Sequence, residues 1–231
     1  MSFGIDSDIL GFADAALGIS LQGVESTPKN AQEATAQDSN ADVVATTLYD
    51  TTYGQPLTHN YVCAKNVEIK FFDTTTSKDF RGGKVINGFV ITGASVGTAN
   101  NQQAATVSFT SQKTISTDSV VAKYDPSITF NGGKGARKFG FTKDTATRLT
   151  ASGLTFSVEP SRTLDSIGQE LALDVGKGRL QSTHTLVGVT GVPGGVADTG
   201  WTLLNGPSKS EGNTNYATGT ATLFKNISKT E

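Results

Sequence analysis

GFVITGASVGTANNQQAATVSFT, residues Gly88 to Thr110, sets two nearly alternating runs of apolar and hydroxyl residues around a polar, amide-rich middle. A side-chain period of two on both sides of such a middle predicts a β-hairpin. A second stretch, GWTLLNGPSKSEGNTNYATGTAT from Gly200 to Thr222, lies 112 positions later and aligns with the first without a gap. Gly88, Asn101, Ala105, Thr106 and Thr110 meet identical residues in Gly200, Asn213, Ala217, Thr218 and Thr222, while Phe89 meets Trp201 and Ile91 meets Leu203. GISLQGVES (Gly18 to Ser26) pairs in the same order with GLTFSVEPS (Gly153 to Ser161), at a spacing of 135. Two explanations compete: a chain of two related half-units with an insertion between them, or Thr- and Gly-rich strands that resemble each other by composition.

The bulk composition favours strands. Charged residues make up only 17% of the 231-residue chain, against 26 Gly and 33 Thr. Thr and Ser standing where Lys and Glu would line exposed helices suit strands with one polar face. A net charge of −2 offers no field for gripping nucleic acid. The single Cys63 excludes an intramolecular disulfide and reads as a small apolar residue within the strand-like YVCAKNVEIKFF. The opening MSFGIDSDILGFADAALG carries acids where a secretion signal needs basic residues, and no run is long and apolar enough for a membrane span.

These features predict an all-β sandwich or barrel of roughly eleven strands, with one or two short helices and a long hairpin or loop. Residues 1–17 are expected as an arm or short helix, 18–112 as a first β half-unit, 113–152 as an inserted hairpin and short helix, and 153–231 as a second half-unit. Strands are expected in ISLQGV, EATAQ, VVATTLY, PLTHNYVCA, VEIKFF, KVINGFVITGASV, AATVSFTS, LTFSVEP, ELALDV, GRLQSTHTLVGV, GWTLL and YATGTATLFKNI. DSNAD supplies a turn between the second and third of these. ITF and FGF flank the glycine-rich basic run NGGKGARK as a hairpin, and FTKDTATRLTAS (Phe141 to Ser152) suits a short helix capped by Thr142 and stopped by Gly153.

The candidate chemistry is thin. NGGKGARKFG lacks the Lys-Ser/Thr pair of a phosphate loop, because Phe139 follows Lys138. His59 and His184 sit in strands without ligands at metal spacing, and are expected to face solvent or a subunit contact. Glu159, Asp165, Glu170 and Asp174 around SRTLDSIGQE are expected on a solvated hairpin, without the aromatic platform a glycosidase would offer. The zinc motif H-E-x-x-H is missing from the sequence, and GASVG (Gly93 to Gly97), which fits the nucleophile motif G-x-S-x-G in letters, lies within the alternating run of the opening hairpin. We therefore expect neither catalysis nor a cofactor nor a metal.

LGISLQGVESTPKNAQEATAQDSNADVVATTLYD (Leu17 to Asp50) and LTFSVEPSRTLDSIGQELALDVGKGRLQSTHTLVG (Leu154 to Gly188), closing on GWTLLNGPSKSEGNTNYATGTATLFKNI, resemble the tail tube (major tail) proteins of long-tailed bacteriophages. The resemblance covers about two thirds of the chain and lies in the pattern and order of strands. It implies a virion protein whose copies pair sheet edges into rings, hexameric or built from three two-unit chains, that stack around a channel. Its partners would be itself and other virion proteins, with DNA as passing cargo and no membrane. Ile9, Leu10 and Phe12 of the arm, Phe80 and Arg81 of the loop 73–84, and Lys134, Arg137 and Lys138 of the basic hairpin are the expected subunit contacts. A capsid decoration or head protein, and a carbohydrate-binding or adhesin module, are the alternatives.

Overall fold

A computed structural model of the chain describes residues 19–26, 32–49, 56–64, 68–70, 85–86, 89–115, 129–131, 133–166, 170–189, 191–206 and 216–227. The protein is all-β, with fifteen strands and no helix among these residues. They are β1 (Ile19–Ser26), β2 (Gln32–Gln37), β3 (Val43–Tyr49), β4 (Pro56–Cys63), β5 (Glu68–Lys70), β6 (Val85–Ile86), β7 (Phe89–Ala99) and β8 (Ala105–Lys113). There follow β9 (Thr129–Asn131), β10 (Phe141–Lys143), β11 (Thr147–Leu164), β12 (Glu170–Gly188), β13 (Gly195–Ala197), β14 (Thr202–Asn205) and β15 (Thr218–Ile227). One antiparallel sheet dominates, in the order β1-β4-β8-β7-β11-β12-β15-β14, with β6 added beside β7. Three two-stranded ladders, β2–β3, β5–β9 and β10–β13, complete the described structure.

The large sheet has one dry face and one polar face, as period-two alternation dictates. Along β12, Leu180, Ser182, His184 and Leu186 are buried, while Arg179, Gln181, Thr183 and Thr185 are exposed. Tyr61, Phe109, Val96, Phe156, Leu180 and their neighbours form the main core. Cys63, fully buried among them, serves as the small apolar residue its strand context implies. A second cluster joins Phe141, Leu186, Ala221 and Leu223, and the half-buried Trp201 packs against both.

The repetition glimpsed in the sequence recurs in the ladders. Strands β1, β4, β7 and β8 stand in the spatial order first, second, fourth, third; so do β11, β12, β14 and β15. The β7–β8 ladder slips between Ile91 and Gly93, and the β14–β15 ladder between Leu203 and Asn205, each position 112 residues on. Beyond the slips the ladders resume at Gly93↔Thr110 and Asn205↔Thr222, again 112 residues apart on both strands. The β1–β4 ladder slips between Leu21 and Gly23, and β11–β12 between Leu149 and Ala151. His59 faces Phe109 across β4–β8, and His184 faces Ala221, the equivalent of Phe109, across β12–β15. A third echo thus emerges, THNYV (Thr58 to Val62) over THTLV (Thr183 to Val187). Shared composition gives no reason for bulges to recur at matched positions, because a bulge is a specific misregister of two strands.

Several expectations are corrected. β1 matches the start of β11 at Thr147, a spacing of 128, so the 135-residue echo with Gly153 to Ser161 is out of register. The helix expected over Phe141 to Ser152 is absent: Phe141–Lys143 pairs with β13, and Thr147 already opens β11. ITF and FGF are not two arms of one hairpin, since β9 pairs with β5 and β10 with β13. ELALDV and GRLQSTHTLVGV fuse into the single 19-residue β12. The Gly- and Pro-rich segment after it carries β13. The N-terminal arm or helix lies outside the described residues.

Two devices tie the halves and their cover together. Glu170, buried at the start of β12, accepts hydrogen bonds from Arg162 Nη1, Thr114 Oγ1 and, at 3.3 Å, the Ile115 N–H; Arg162 Nη2 also donates to Gln112 Oε1 at 2.8 Å. The end of β8 is thereby clamped to the β11–β12 hairpin across β7. At the opposite side Gly140, at φ +80°, lies under Trp201, where a Cβ would sit 2.3 Å from the indole carbons. The Asp198 N–H donates to the Gly140 carbonyl at 2.9 Å and the Trp201 N–H to the Asp198 carbonyl at 3.0 Å. Replacing Gly140 by Ala combines left-handed strain with a clash, so Gly140→Ala is expected to lower unfolding stability by about 2–4 kcal/mol in a denaturant titration. A loss below about 0.5 kcal/mol would contradict this packing.

Candidate assembly interface

The sheet leaves two margins bare among the described residues. β1 pairs only with β4 and β14 only with β15. All four residues of β14 are exposed, and two of them are Leu203 and Leu204. On β1, Ser20 and Gln22 are exposed. An edge strand with free backbone donors and acceptors and exposed leucines is a template for another strand, and natural proteins normally blunt it with charge or Pro. Within its four described residues β14 has neither.

Across the middle of the open face runs a row of uncharged polar groups, with the exposed Arg148 and Arg179 elsewhere on the same face. Asn60, Ser108, Ser95, Thr155 and Gln181 stand opposite one another in turn across β4, β8, β7, β11 and β12. Ser108 Oγ donates to Asn60 Oδ1 at 2.8 Å. Beside this row, Thr106, Thr183 and Thr220 are exposed. Arg179, stacked over Phe224 at 4.9 Å, is a cation on this face towards one end. A shallow hollow lined by Gln22, Asn60, Ser95, Thr106 and Ser108, with Tyr61 at its base, opens on it.

The basic run is a loop pinned to the sheet rather than a free tip. Gly133 N–H donates to the Cys63 carbonyl at 3.1 Å, and Asn100 works as a bracket. Its Oδ1 accepts the Ala136 N–H at 3.0 Å, its Nδ2 donates to the Leu149 carbonyl at 2.6 Å, and its own N–H donates to the Thr150 carbonyl at 2.9 Å. Gly133 and Gly135 provide the left-handed turns, at φ 92° and 91°. The outcome is that Lys134 and Lys138 are exposed and Arg137 is half-buried. These three share one loop. Ile9, Leu10, Phe12, Phe80 and Arg81 lie outside the described residues.

A feature that the sequence pattern placed but did not weigh is the β2–β3 ribbon. Among the described residues it pairs only with itself, and residues 35–45 are all exposed, with Val43 and Val44 among them. Its turn is tight: Asp38 Oδ1 accepts the Asn40 and Asp42 N–H groups at 2.8 and 3.0 Å, and Ala41 adopts φ 65°. A two-stranded ribbon by itself is marginal in water. Alternating Val and Thr on an exposed ribbon was the signal available in VVATTLY.

The polar groups expected at the surface sit elsewhere. Both histidines are interior residues, on the buried face at equivalent positions. His184 Nδ1 lies 3.1 Å from Ser152 Oγ, and its ring stacks on Phe141 at 5.2 Å. Neither ring nitrogen of His59 has a hydrogen-bond partner among the described residues. Alternation puts them inside because the apolar residues of PLTHNYVC and GRLQSTHTLVG share their parity. Glu170 is likewise buried, whereas Glu159 and Asp174 are exposed as expected. Among the described residues no group of three or more His, Cys, Asp or Glu could hold a metal ion, and no helix is long and apolar enough to cross a membrane. No protein-family model matches the chain, and no curated protein sequence matches it significantly.

Burial pushes the His184 imidazole down to about 4, against the opposing pull of the Phe139 backbone and the Asp198 carboxylate, and burial also lowers His59. A folded pKa below the unfolded value near 6.5 means that the unfolded chain takes up the proton first. Stability is therefore full above pH 6.5 and declines towards pH 4, with roughly 3 kcal/mol attributable to His184. Denaturant titrations at pH 7.5 and 4.5 should show this loss, and His184→Gln should show a clearly smaller one. An identical pH dependence in the variant would contradict the assignment.

Proposed function

We propose that this protein is a structural subunit that polymerises through its sheet margins, and that it works as a tail tube protein of a long-tailed bacteriophage virion. One observation carries the assembly reading: an eight-strand antiparallel path whose end strands have, among the described residues, no partner on their outer sides, one of them displaying Leu203 and Leu204. In a closed ring each bare margin meets the next copy, and a liability in the monomer becomes the joint. Main-chain hydrogen bonds supply affinity there, and alternating side chains supply register.

The tube reading is supported by the open face of the sheet. Its row of Asn60, Ser108, Ser95, Thr155 and Gln181 offers hydration without positive charge. A wall for passing DNA works best when no phosphate is held, since each bound phosphate adds salt-dependent affinity that retards movement. The Lys134–Lys138 loop and the exposed β2–β3 ribbon would serve contacts between stacked rings. The strand order resembling tail tube proteins points the same way. The function is structural in this proposal: there is no catalysis, no cofactor and no membrane partner, and the virion is its location.

Electron microscopy of the purified chain at high concentration is expected to show rings or tubes with a hollow centre. Leu204→Lys places a cation on an exposed edge position, so the monomer should keep its stability to within about 0.5 kcal/mol while rings are lost. Decoration of a capsid surface at fixed stoichiometry, without polymerisation, would instead favour the head-protein alternative. A species that stays monomeric at every concentration would contradict assembly altogether.

A further inference from the structure

We propose that Asn205–Gly206, at the end of the exposed β14 strand, is a self-modification site, where the side-chain amide is lost by reaction with water and a carboxylate takes its place. The chemistry depends on these two residues alone; its effect on assembly rests on the reading above.

An asparagine followed by glycine carries its own reaction. The Gly206 main-chain nitrogen attacks Asn205 Cγ. The new N–Cγ bond closes a succinimide ring, while the Cγ–Nδ2 bond breaks and ammonia leaves with the proton of the attacking N–H. Water then opens the ring at Cγ, leaving aspartate, or at the main-chain carbonyl carbon of position 205, leaving isoaspartate with the chain rerouted through Cβ. Water is consumed and ammonia released, with no oxidant, metal or second protein. Glycine matters because a Cβ on the following residue crowds the attacking nitrogen and narrows the backbone angles it can reach.

The fold leaves both reactants unrestrained. Asn205 and Gly206 are exposed. Among the described residues no hydrogen bond holds the Asn205 side-chain amide or the Gly206 N–H. Asn205 forms the last pair of its ladder, with Thr222, just past the slip at Leu203. Such ladder ends open most readily. Other asparagines lack one condition or another. Both amide atoms of Asn100 are bonded, to the Ala136 N–H and the Leu149 carbonyl, and Asn60 Oδ1 accepts from Ser108. Asn40 and Asn101 are exposed but precede Ala41 and Gln102. Asn131 does precede a glycine, yet it pairs with Glu68, and the Gly133 N–H two residues on is tied to the Cys63 carbonyl at 3.1 Å. Asn87–Gly88 lies outside the described residues.

The product changes what this margin presents. Asn205 follows Leu203 and Leu204 on a strand without charge. A carboxylate there supplies the blunting charge that edge strands use against further pairing, and isoaspartate lengthens the main chain at the end of the ladder. In the assembly proposed above, a chain that waits unassembled therefore loses β14 as a joint with time.

Peptide mapping by mass spectrometry of the full chain, aged at about pH 8 because proton removal from the attacking N–H is base-catalysed, tests the site without reference to assembly. Aspartate and isoaspartate at position 205 are expected to accumulate about tenfold faster than at Asn131. Gly206→Ala is expected to slow them about tenfold. That variant should fold normally, because a Cβ on Gly206 meets only Leu203 Cδ2, at 3.9 Å. No conversion at position 205, earlier conversion at Asn131, or an unchanged rate in Gly206→Ala would overturn the site. Rings grown from a part-aged sample are expected to hold converted chains at roughly a third or less of their share in the free pool. An equal share would overturn the effect on the margin. Conversion in a chain that forms no rings would keep the site and sink the assembly reading.

Discussion

Every backbone N–H and C=O in this protein's large sheet must be paired by a neighbour strand or by water, and that accounting sets the rest. Eight strands hydrogen-bond in one antiparallel path; among the described residues its two outer rows stay open, as do the outer sides of Pro160–Leu164 and Glu170–Val175, which pair only with each other. One face of the path is dry and holds the core, so a slip of one residue in any ladder would turn that strand's apolar set to water. The register is therefore specified tightly, and the bulges are part of it. The slips at Ile91/Gly93 and Leu203/Asn205 occur where the third strand of each unit enters its ladder.

The repetition of strand order gives the joint at β7–β11 a special standing. It is the only place where the two units meet by main-chain pairing among the described residues, and small residues line it. The Glu170 network reinforces it from one end. Arg162 and Glu170 belong to the second unit, and Thr114, Ile115 and Gln112 follow or end the last strand of the first. A buried carboxylate of this kind adds orientation more surely than stability, since desolvation offsets much of the attraction. Trp201 plays the corresponding part on the dry face, resting on Gly140 and joining the two apolar clusters.

Much of the strand pattern was legible in the sequence because period-two alternation and turn residues are local signals. The β7–β8 hairpin, the β2–β3 ribbon with its DSNAD turn and the strand character of LTFSVEP, ELALDV and GRLQSTHTLVG follow from them, but not the full lengths of β11 and β12. The failures have physical causes. FTKDTATRLTAS offers helix-compatible spacing with Thr142 as a cap, but Phe141 is fully buried against Leu186 and Leu223, and tertiary packing overrides propensity. The histidines look like surface groups by chemistry, while alternation with Leu57, Tyr61 and Leu186 assigns them to the interior. The repeat was visible as five identities over 23 positions. Its decisive marks, matched bulges and the His59/His184 equivalence, are properties of pairing that no single strand displays. The bare margins were anticipated as a class, but which strands carry them depends on long-range order.

The central claim is that one continuous sheet passes through every chain and every chain boundary alike. A density map of the assembled particle, at a resolution that separates strands, measures this most directly. The account predicts the eight path strands of every chain in an uninterrupted belt, with the outer edge of one copy hydrogen-bonded to the outer edge of the next. A belt broken at the chain boundaries, with copies held by loops or side chains alone, would contradict it.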